Sequence, residues 1–368
     1  MATIHIVSKP IAPPWSDASK NLVRTHLRHA NRFSYSFFGT PASRILERSN
    51  VRCRVIQSHT GRFQPTMLDN VRPFLNLLNI DANLFSYFFT PNRRTSTALR
   101  LLASMKRRPT VHTICSTPKD HGNLRSLLFA DRNVAVSDHT ARLLHEAGAK
   151  GVRRIYPGID PPVPDPLEVE RLRTVLAAPQ GRPCIVFSGD YEFSNAHPVI
   201  LSALPVFFAA CPDVLFVFAC RPKTEAAAAV ERDVRAAVSA TPFASSIAFL
   251  RDVSSFPALL EVATVVIFPV TSLRNKMDIP LTLLEAMALG RPIVVSNLES
   301  LRELLPEPAG VLVPPGDADA LGGAVARILK DDPERRAMGE AGRHLVRRQF
   351  SAGRMTTEYE DLYAELLS

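Results

Sequence analysis

The sequence predicts an α/β protein of two doubly wound domains, each a parallel sheet covered on both faces by helices. Three observations carry that expectation. Short β-branched and aromatic runs alternate with longer amphipathic stretches along the chain, most regularly in its second half. A length of 368 residues with a hydrophobic fraction of 46% is enough to fill two cores. Charge also divides the chain. Residues 1–160 hold 24 Lys+Arg against 9 Asp+Glu, or +15; the remainder holds 20 against 26, or −6, and the two sum to the net +9.

In chain order, residues 4–7 form the opening strand. In the loop after it, Ser16 or Asp17 is placed to cap a helix whose apolar face is Leu22, Val23 and Leu27. Further strands are expected at 33–38, 51–56 and 83–90. A helix at 95–105 ends on Lys106, Arg107 and Arg108, cations that suit a helix C-terminus. Strands at 110–115 and 133–136 follow, and Ser137 or Asp138 opens a helix that stops at Gly148. Residues 155–166 are rich in proline and lack helical pattern, so they read as a linker.

Beyond it the alternation is regular. Strands are expected at 184–188, 214–219, 246–250, 264–268, 293–296 and 310–313. Helices are expected at 198–209, 224–240, 255–263, 281–289, 317–329, 333–349 and 352–367. The stretch 264–297 organises this half. A β-branched strand ends at Pro269, Pro280 suits the first turn of a helix, and Gly290 with Pro292 stops that helix before the next strand. Glu285 is the one acid in the helix. The predicted division is 1–160, 161–350, and a C-terminal helix at 351–368 that packs back on the first domain.

Composition narrows the function classes. Met1 leads into the first strand without a cationic leader, and no apolar run reaches the ~18 residues that span a bilayer. A cytoplasmic protein is expected, peripheral on the inner membrane face if the basic half meets lipid. Cys53, Cys115, Cys184, Cys211 and Cys220 are scattered without metal-ligand spacing and read as free thiols. The basic half makes an anionic membrane surface or a phosphorylated acceptor a candidate partner; a plain arginine-rich surface is the competing explanation. No nucleic-acid-binding motif accompanies the arginines.

The run Pro280-Leu-Thr-Leu-Leu-Glu-Ala-Met-Ala-Leu-Gly-Arg-Pro-Ile-Val-Val resembles the donor-binding helix of the GT-B glycosyltransferases of family 4 (glycosyl transferases group 1). Ile155-Tyr-Pro-Gly-Ile-Asp160, Ile185-Val-Phe-Ser-Gly189, Ile247-Ala-Phe-Leu250 and the segment from Gly310 to Leu321 agree with that family in order and spacing. The resemblance implies two Rossmann-like domains whose parallel sheets face a central cleft. It also implies a retaining, metal-independent enzyme that moves a sugar from a nucleotide-sugar donor to an acceptor hydroxyl, without a cofactor. The acceptor is unidentified: a sugar, a lipid-linked group or a small molecule. Two rivals stay open, a non-catalytic nucleotide-sugar binder and a nucleotide-sugar epimerase.

Site residues follow from the resemblance position by position. Glu285 corresponds to the acid that accepts hydrogen bonds from the donor ribose, a role suited to a carboxylate facing a diol. The family's first glutamate, eight positions before that acid, falls at Met277, so the adjacent Asp278 is the candidate for contact with the transferred sugar, or a helix cap. Ile279, Pro280 and Leu281 lie at the helix start, where amides and dipole favour an anion. Gly189 matches the family glycine after the first strand of its second domain, but Asp190 and Asn195 stand where the family has cations. Arg221 and Lys223 are the substitutes proposed for neutralising the leaving diphosphate, with Thr224 beside them and Arg274 and Lys276 as further candidates. In the first domain, Ser16, Ser19 and Lys20 are candidates for phosphate or acceptor hydroxyls. Cys115 falls where the family often has a histidine, and Ser116, Thr117, Lys119 and His121 are acceptor-side candidates. His112 reads as an ordinary core histidine.

Overall fold

The computed structural model describes residues 1–13, 15, 17–56, 74–118, 123–274, 276–306 and 308–368. The chain divides into two compact units. Unit 1 comprises Met1–Asp160, Lys276–Ile279 and Gln349–Ser368; unit 2 comprises Pro161–Asn275 and Pro280–Arg348.

Among the described residues, unit 1 contains a seven-stranded sheet. Its strands are β1 (Thr3–Ser8), β2 (Ser34–Gly39), β3 (Val51–Val55), β4 (Leu84–Phe88), β5 (Thr110–Ile114), β6 (Arg132–Ala135) and β7 (Val152–Arg154). They lie in the order β3-β2-β1-β4-β5-β6-β7, and every pairing is parallel. All five residues of β4 and of β5 are buried. Burial on both faces is why β4 reads as an apolar and aromatic run interrupted only by Ser86 rather than as an alternation, while β5 buries two threonines and a histidine among its apolar residues. Asp17 is the residue that caps the first helix, Ala18–His29, accepting from the amides of Ser19 and Lys20. Ser137 caps the helix Asp138–Glu146 through Thr140 N.

The last helix, Ala352–Leu367, belongs to unit 1 and is fixed there by polar side chains as well as by apolar ones. The Tyr359 hydroxyl lies 3.0 Å from Thr113 Oγ1, and the Tyr363 hydroxyl 2.8 Å from Ser86 Oγ. Buried Glu360 accepts from the Asn31 and Arg32 amides and from the Tyr35 hydroxyl. Residues 155–160, read as the start of a linker, are held against the entrance of this helix. Ile159 N donates to Phe350 O at 2.9 Å, and Ala352 N donates to Ile159 O at 3.0 Å. A β-carbon on Gly158 stands 2.5 Å from the Ser351 carbonyl oxygen, so glycine is what permits the approach.

Unit 2 contains β8 (Cys184–Phe187), β9 (Leu215–Ala219), β10 (Ile247–Leu250), β11 (Val265–Phe268), β12 (Ile293–Ser296) and β13 (Val311–Val313). Their order is β10-β9-β8-β11-β12-β13, again parallel throughout. The helix Leu281–Ala288 follows β11, with Pro280 as its N-cap and no side-chain capping bond. Several short elements went unread in the sequence, two of them instructive. The helix Pro166–Val175 buries none of its residues, and β7 is three half-buried residues, two of them arginine, so neither leaves an apolar pattern. Among the described residues no helix is long and apolar enough to cross a membrane.

Candidate functional site

A doubly wound sheet binds ligands beyond the carboxyl ends of its strands, where the strand order reverses direction. In unit 2 that point lies between β8 and β11. The loops that leave these two strands are joined there: Thr271 N donates to Ser194 O at 3.0 Å. Glu285 is half-buried on the helix that follows the second of these loops. The neighbouring strand β9 ends in the loop that carries Arg221, half-buried, and Lys223, exposed. Thr224 caps the next helix through Ala227 N, and its hydroxyl also donates to Glu192 Oε2 at 2.6 Å. The loops after β8 and β9 are therefore tied together as well.

The loop after β8 is organised around Asp190. Its Oδ1 accepts from the amides of Glu192, Phe193 and Ser194, and its carbonyl accepts from Ser194 Oγ. Three amides converging on one point form an anion-binding nest, and here the protein's own carboxylate fills it. Asn195, the other position where a cation is absent, takes a left-handed φ of 47°. Gly189 precedes this turn, and a β-carbon there stands 2.4 Å from the Phe187 ring, so packing alone demands glycine.

Asp278 has a different setting. With Lys276, Met277 and Ile279 it belongs to unit 1, and it is 1% exposed. Oδ1 accepts from Thr117 N at 2.7 Å and Thr117 Oγ1 at 3.0 Å. Oδ2 accepts from Ser137 Oγ at 2.7 Å and Thr140 Oγ1 at 2.6 Å. Its own amide donates to Cys115 O at 3.4 Å. Among the described residues four donors, none of them a cation, meet the carboxylate, and the helix-cap reading is corrected because Pro280 holds that position. Ile279, Pro280 and Leu281 are buried, and Lys276 is half-buried.

The first-half candidates divide. Lys20 sits in the first turn of its helix, with Nζ 3.4 Å from Ala12 O; burial lowers its ammonium below the usual lysine range, opposed by Asp17. Burial works against the charged form of Asp17, yet the Lys9 ammonium 2.7 Å away outweighs it and holds the carboxyl down at about 2. Ser19 Oγ also donates to Asp17, at 2.5 Å. The Cys115 thiol is buried; burial, then the Asp17 and Asp278 carboxylates, push it well above the ordinary thiol range. Such a group is not a nucleophile at neutral pH. Ser116 pairs with the Thr90 hydroxyl, and Thr117 bonds both Asp278 and Thr140. His112 packs between Phe89 and Phe129 with Nε2 3.0 Å from Phe89 O, and burial lowers it to about 4. Ser16, Lys119 and His121 lie outside the described residues.

The Asp278 network was the feature that residue-by-residue reading missed. Its donors come from residues 117, 137 and 140, and ordinary hydroxyl residues so distant in sequence give no local signal. The Asp190 turn is local, and an aspartate followed by serine four positions later was the available cue.

Comparison with known proteins agrees with this architecture. Residues 182–331 match the family described as Glycosyl transferases group 1. N-acetyl-alpha-D-glucosaminyl L-malate synthase of Bacillus anthracis is 32% identical over 96 residues, 26% of this chain and 25% of that protein. Phosphatidyl-myo-inositol mannosyltransferase of Mycolicibacterium smegmatis is 31% identical over 150 residues, 40% of this chain and 36% of that protein. The matches therefore span about a quarter to a third of these relatives' lengths. The structure of Anabaena HepE in complex with UDP-glucose is similar with a TM-score of 0.78 at 15% identity, covering 99% of this chain and 100% of that one. At that identity the likeness is one of fold. Two parallel doubly wound units give this chain a GT-B fold, and its segment 182–331, which carries the Glu285 helix, is similar to the group 1 glycosyltransferases.

Proposed function

We propose that the chain transfers a sugar from a nucleoside-diphosphate sugar, bound by unit 2, to an acceptor hydroxyl. The observation that carries this reading is Glu285, the one acid in the helix that follows the switch-point strand β11, inside the family-matched segment. Its carboxylate accepts both hydroxyls of the donor ribose. Arg221 and Lys223, with Arg274 in support, take the negative charge that develops as the diphosphate leaves. The Asp190 turn supports this assignment, because the amides beside β8 already hold a carboxylate. Asp278 acts through position: its filled hydrogen-bond shell fixes the segment ahead of the donor helix.

In this reading the acceptor oxygen bonds to the anomeric carbon, the bond from that carbon to the diphosphate breaks, and the acceptor proton leaves. Transfer is retaining and independent of a divalent cation. The acceptor is a group displayed at an anionic membrane surface. Support comes from the helix Arg93–Lys106, where exposed Leu101 and Met105 lie among the exposed Arg93, Arg94, Arg100, Arg107 and Arg108. The likeness to a protein named phosphatidyl-myo-inositol mannosyltransferase supports it too. The test is a panel of nucleotide sugars, with and without anionic vesicles, in the presence of a chelator. Release of nucleoside diphosphate coupled to a glycosylated product is expected. Donor binding with no turnover across all acceptors refutes the catalytic reading.

A further inference from the structure

A second charged region lies at the other edge of the unit 2 sheet. A cavity of about 280 Å³ opens at the amino ends of β8, β11 and β12, lined by Arg173, Arg182, Arg291, Arg335, Arg336 and one acid, Glu261. Five cations against one carboxylate leave +4 on the lining. Residues 161–368 carry −6 in total, with 20 Lys+Arg, so a quarter of their cations surround this one space.

Three of these arginines are fixed and partly withdrawn from water. The side chains of Arg182, Arg291 and Arg335 are 15%, 24% and 27% exposed. Arg182 donates to the carbonyls of Asp213 and Ala177, Arg291 to Ala263, and Arg335 to Ile328. Helix ends present carbonyls to cations, which explains why arginine stands at these places. A neutral carbonyl orients a guanidinium without cancelling its charge. The carboxylates within reach are few: Glu261 pairs with Arg291 at 2.7 Å, Asp332 is shared by Arg335 and Arg336, and Asp213 is 3.9 Å from Arg182 and mostly in solvent. The buried Nε of Arg291 has no hydrogen-bond partner among the described residues. Burial, reinforced by Arg336, lowers Arg335 below the usual arginine range, the direction expected of a crowded cation. Five guanidinium groups around one space, against the three carboxylates of Glu261, Asp332 and Asp213, leave an excess of positive charge that an anion offsets.

We infer that this cavity is a binding site for a small phosphoryl-bearing anion, separate from the donor site. Its volume falls just below the about 300–1,000 Å³ of drug-sized pockets, which suits pyrophosphate or a sugar monophosphate rather than a whole nucleotide sugar. Planar guanidinium forks match phosphate oxygens two at a time, so a cluster of them selects phosphoryl groups over monovalent anions. The inference does not depend on the proposed transfer reaction.

Titration calorimetry on the full chain tests it, with inorganic phosphate, pyrophosphate and glucose 6-phosphate as separate probes. Saturable binding of at least one is expected. Arg173→Glu with Arg336→Glu should weaken it at least tenfold, while Arg221→Ala with Lys223→Ala leaves it within twofold. Arg336 is 74% exposed, so Arg336→Gln serves as a milder second variant, expected to weaken binding about threefold with an unchanged unfolding midpoint. No saturable binding of any probe overturns the site, as does binding lost only in the Arg221/Lys223 variant.

Discussion

Asp278 and Glu285 stand seven positions apart in one strand-loop-helix stretch, and the fold gives them opposite settings. Asp278 is buried in unit 1 with four donors on its carboxylate. Glu285 is half-buried in unit 2, beyond the carboxyl end of β11. The difference teaches that two acids near one motif need not share a task. One is part of the interior, where removing a partner exposes unmet donors; the other stands where we propose that the donor binds. The contrast extends to the polar groups around each. Unit 1 buries His5, His26 and His112 as neutral rings, whereas unit 2 keeps Arg221 and Lys223 at its strand ends.

The largest expected effect is on pH dependence. Burial lowers His5 and His26 to about 3 and His112 to about 4, against 6.5 for the ordinary group. The unfolded chain therefore binds more protons below pH 6.5, so stability is full above that value and declines as the pH falls toward 4. Each ring costs about 1.4 kcal/mol per pH unit, or about 4 kcal/mol for the three at pH 5.5. Hydrogen exchange should show unit 1 peptides opening before those of unit 2 on acidification. Simultaneous loss of protection in both units breaks the contrast.

Next in size is Asp278→Ala. It strands the Thr117 amide and three hydroxyls, at a cost of about 3 kcal/mol in unit 1. Hydrogen exchange in peptides around residues 117 and 137–140 reads it. Unchanged protection together with lost turnover shows that Asp278 serves chemistry rather than the framework. Arg221→Ala with Lys223→Ala sharpens the other side of the comparison. Turnover should fall about 100-fold, equivalent to about 2.7 kcal/mol, with thermal unfolding unchanged. Turnover within threefold of the parent moves the diphosphate elsewhere.

Most of the frame was legible in the sequence. The run Ile293–Ser296 is buried at every position and reads as a strand at those same bounds. Ser137 and Thr224 announce the helices they cap. Elements with no buried face, such as Pro166–Val175, carry no apolar signal for sequence to transmit. The candidate site was half legible. Glu285 sits inside a contiguous motif, so its place in the fold follows from local pattern. Asp278 did not reveal itself, because its meaning lies in hydroxyls brought from residues 117, 137 and 140 by the topology of unit 1. The five arginines of the rear cavity are scattered in the same way across residues 173–336.

The smallest effect is also the most direct measurement. Calorimetric titration of nucleotide sugars into the parent chain and into Glu285→Gln compares donor binding when the acceptor strength of one side chain is reduced. A ribose-binding role predicts affinity about tenfold weaker, or about 1.4 kcal/mol, with an unfolding midpoint equal to the parent's. Equal donor affinity in the two proteins contradicts the assignment of Glu285, and with it the placement of the donor at the β8–β11 switch point.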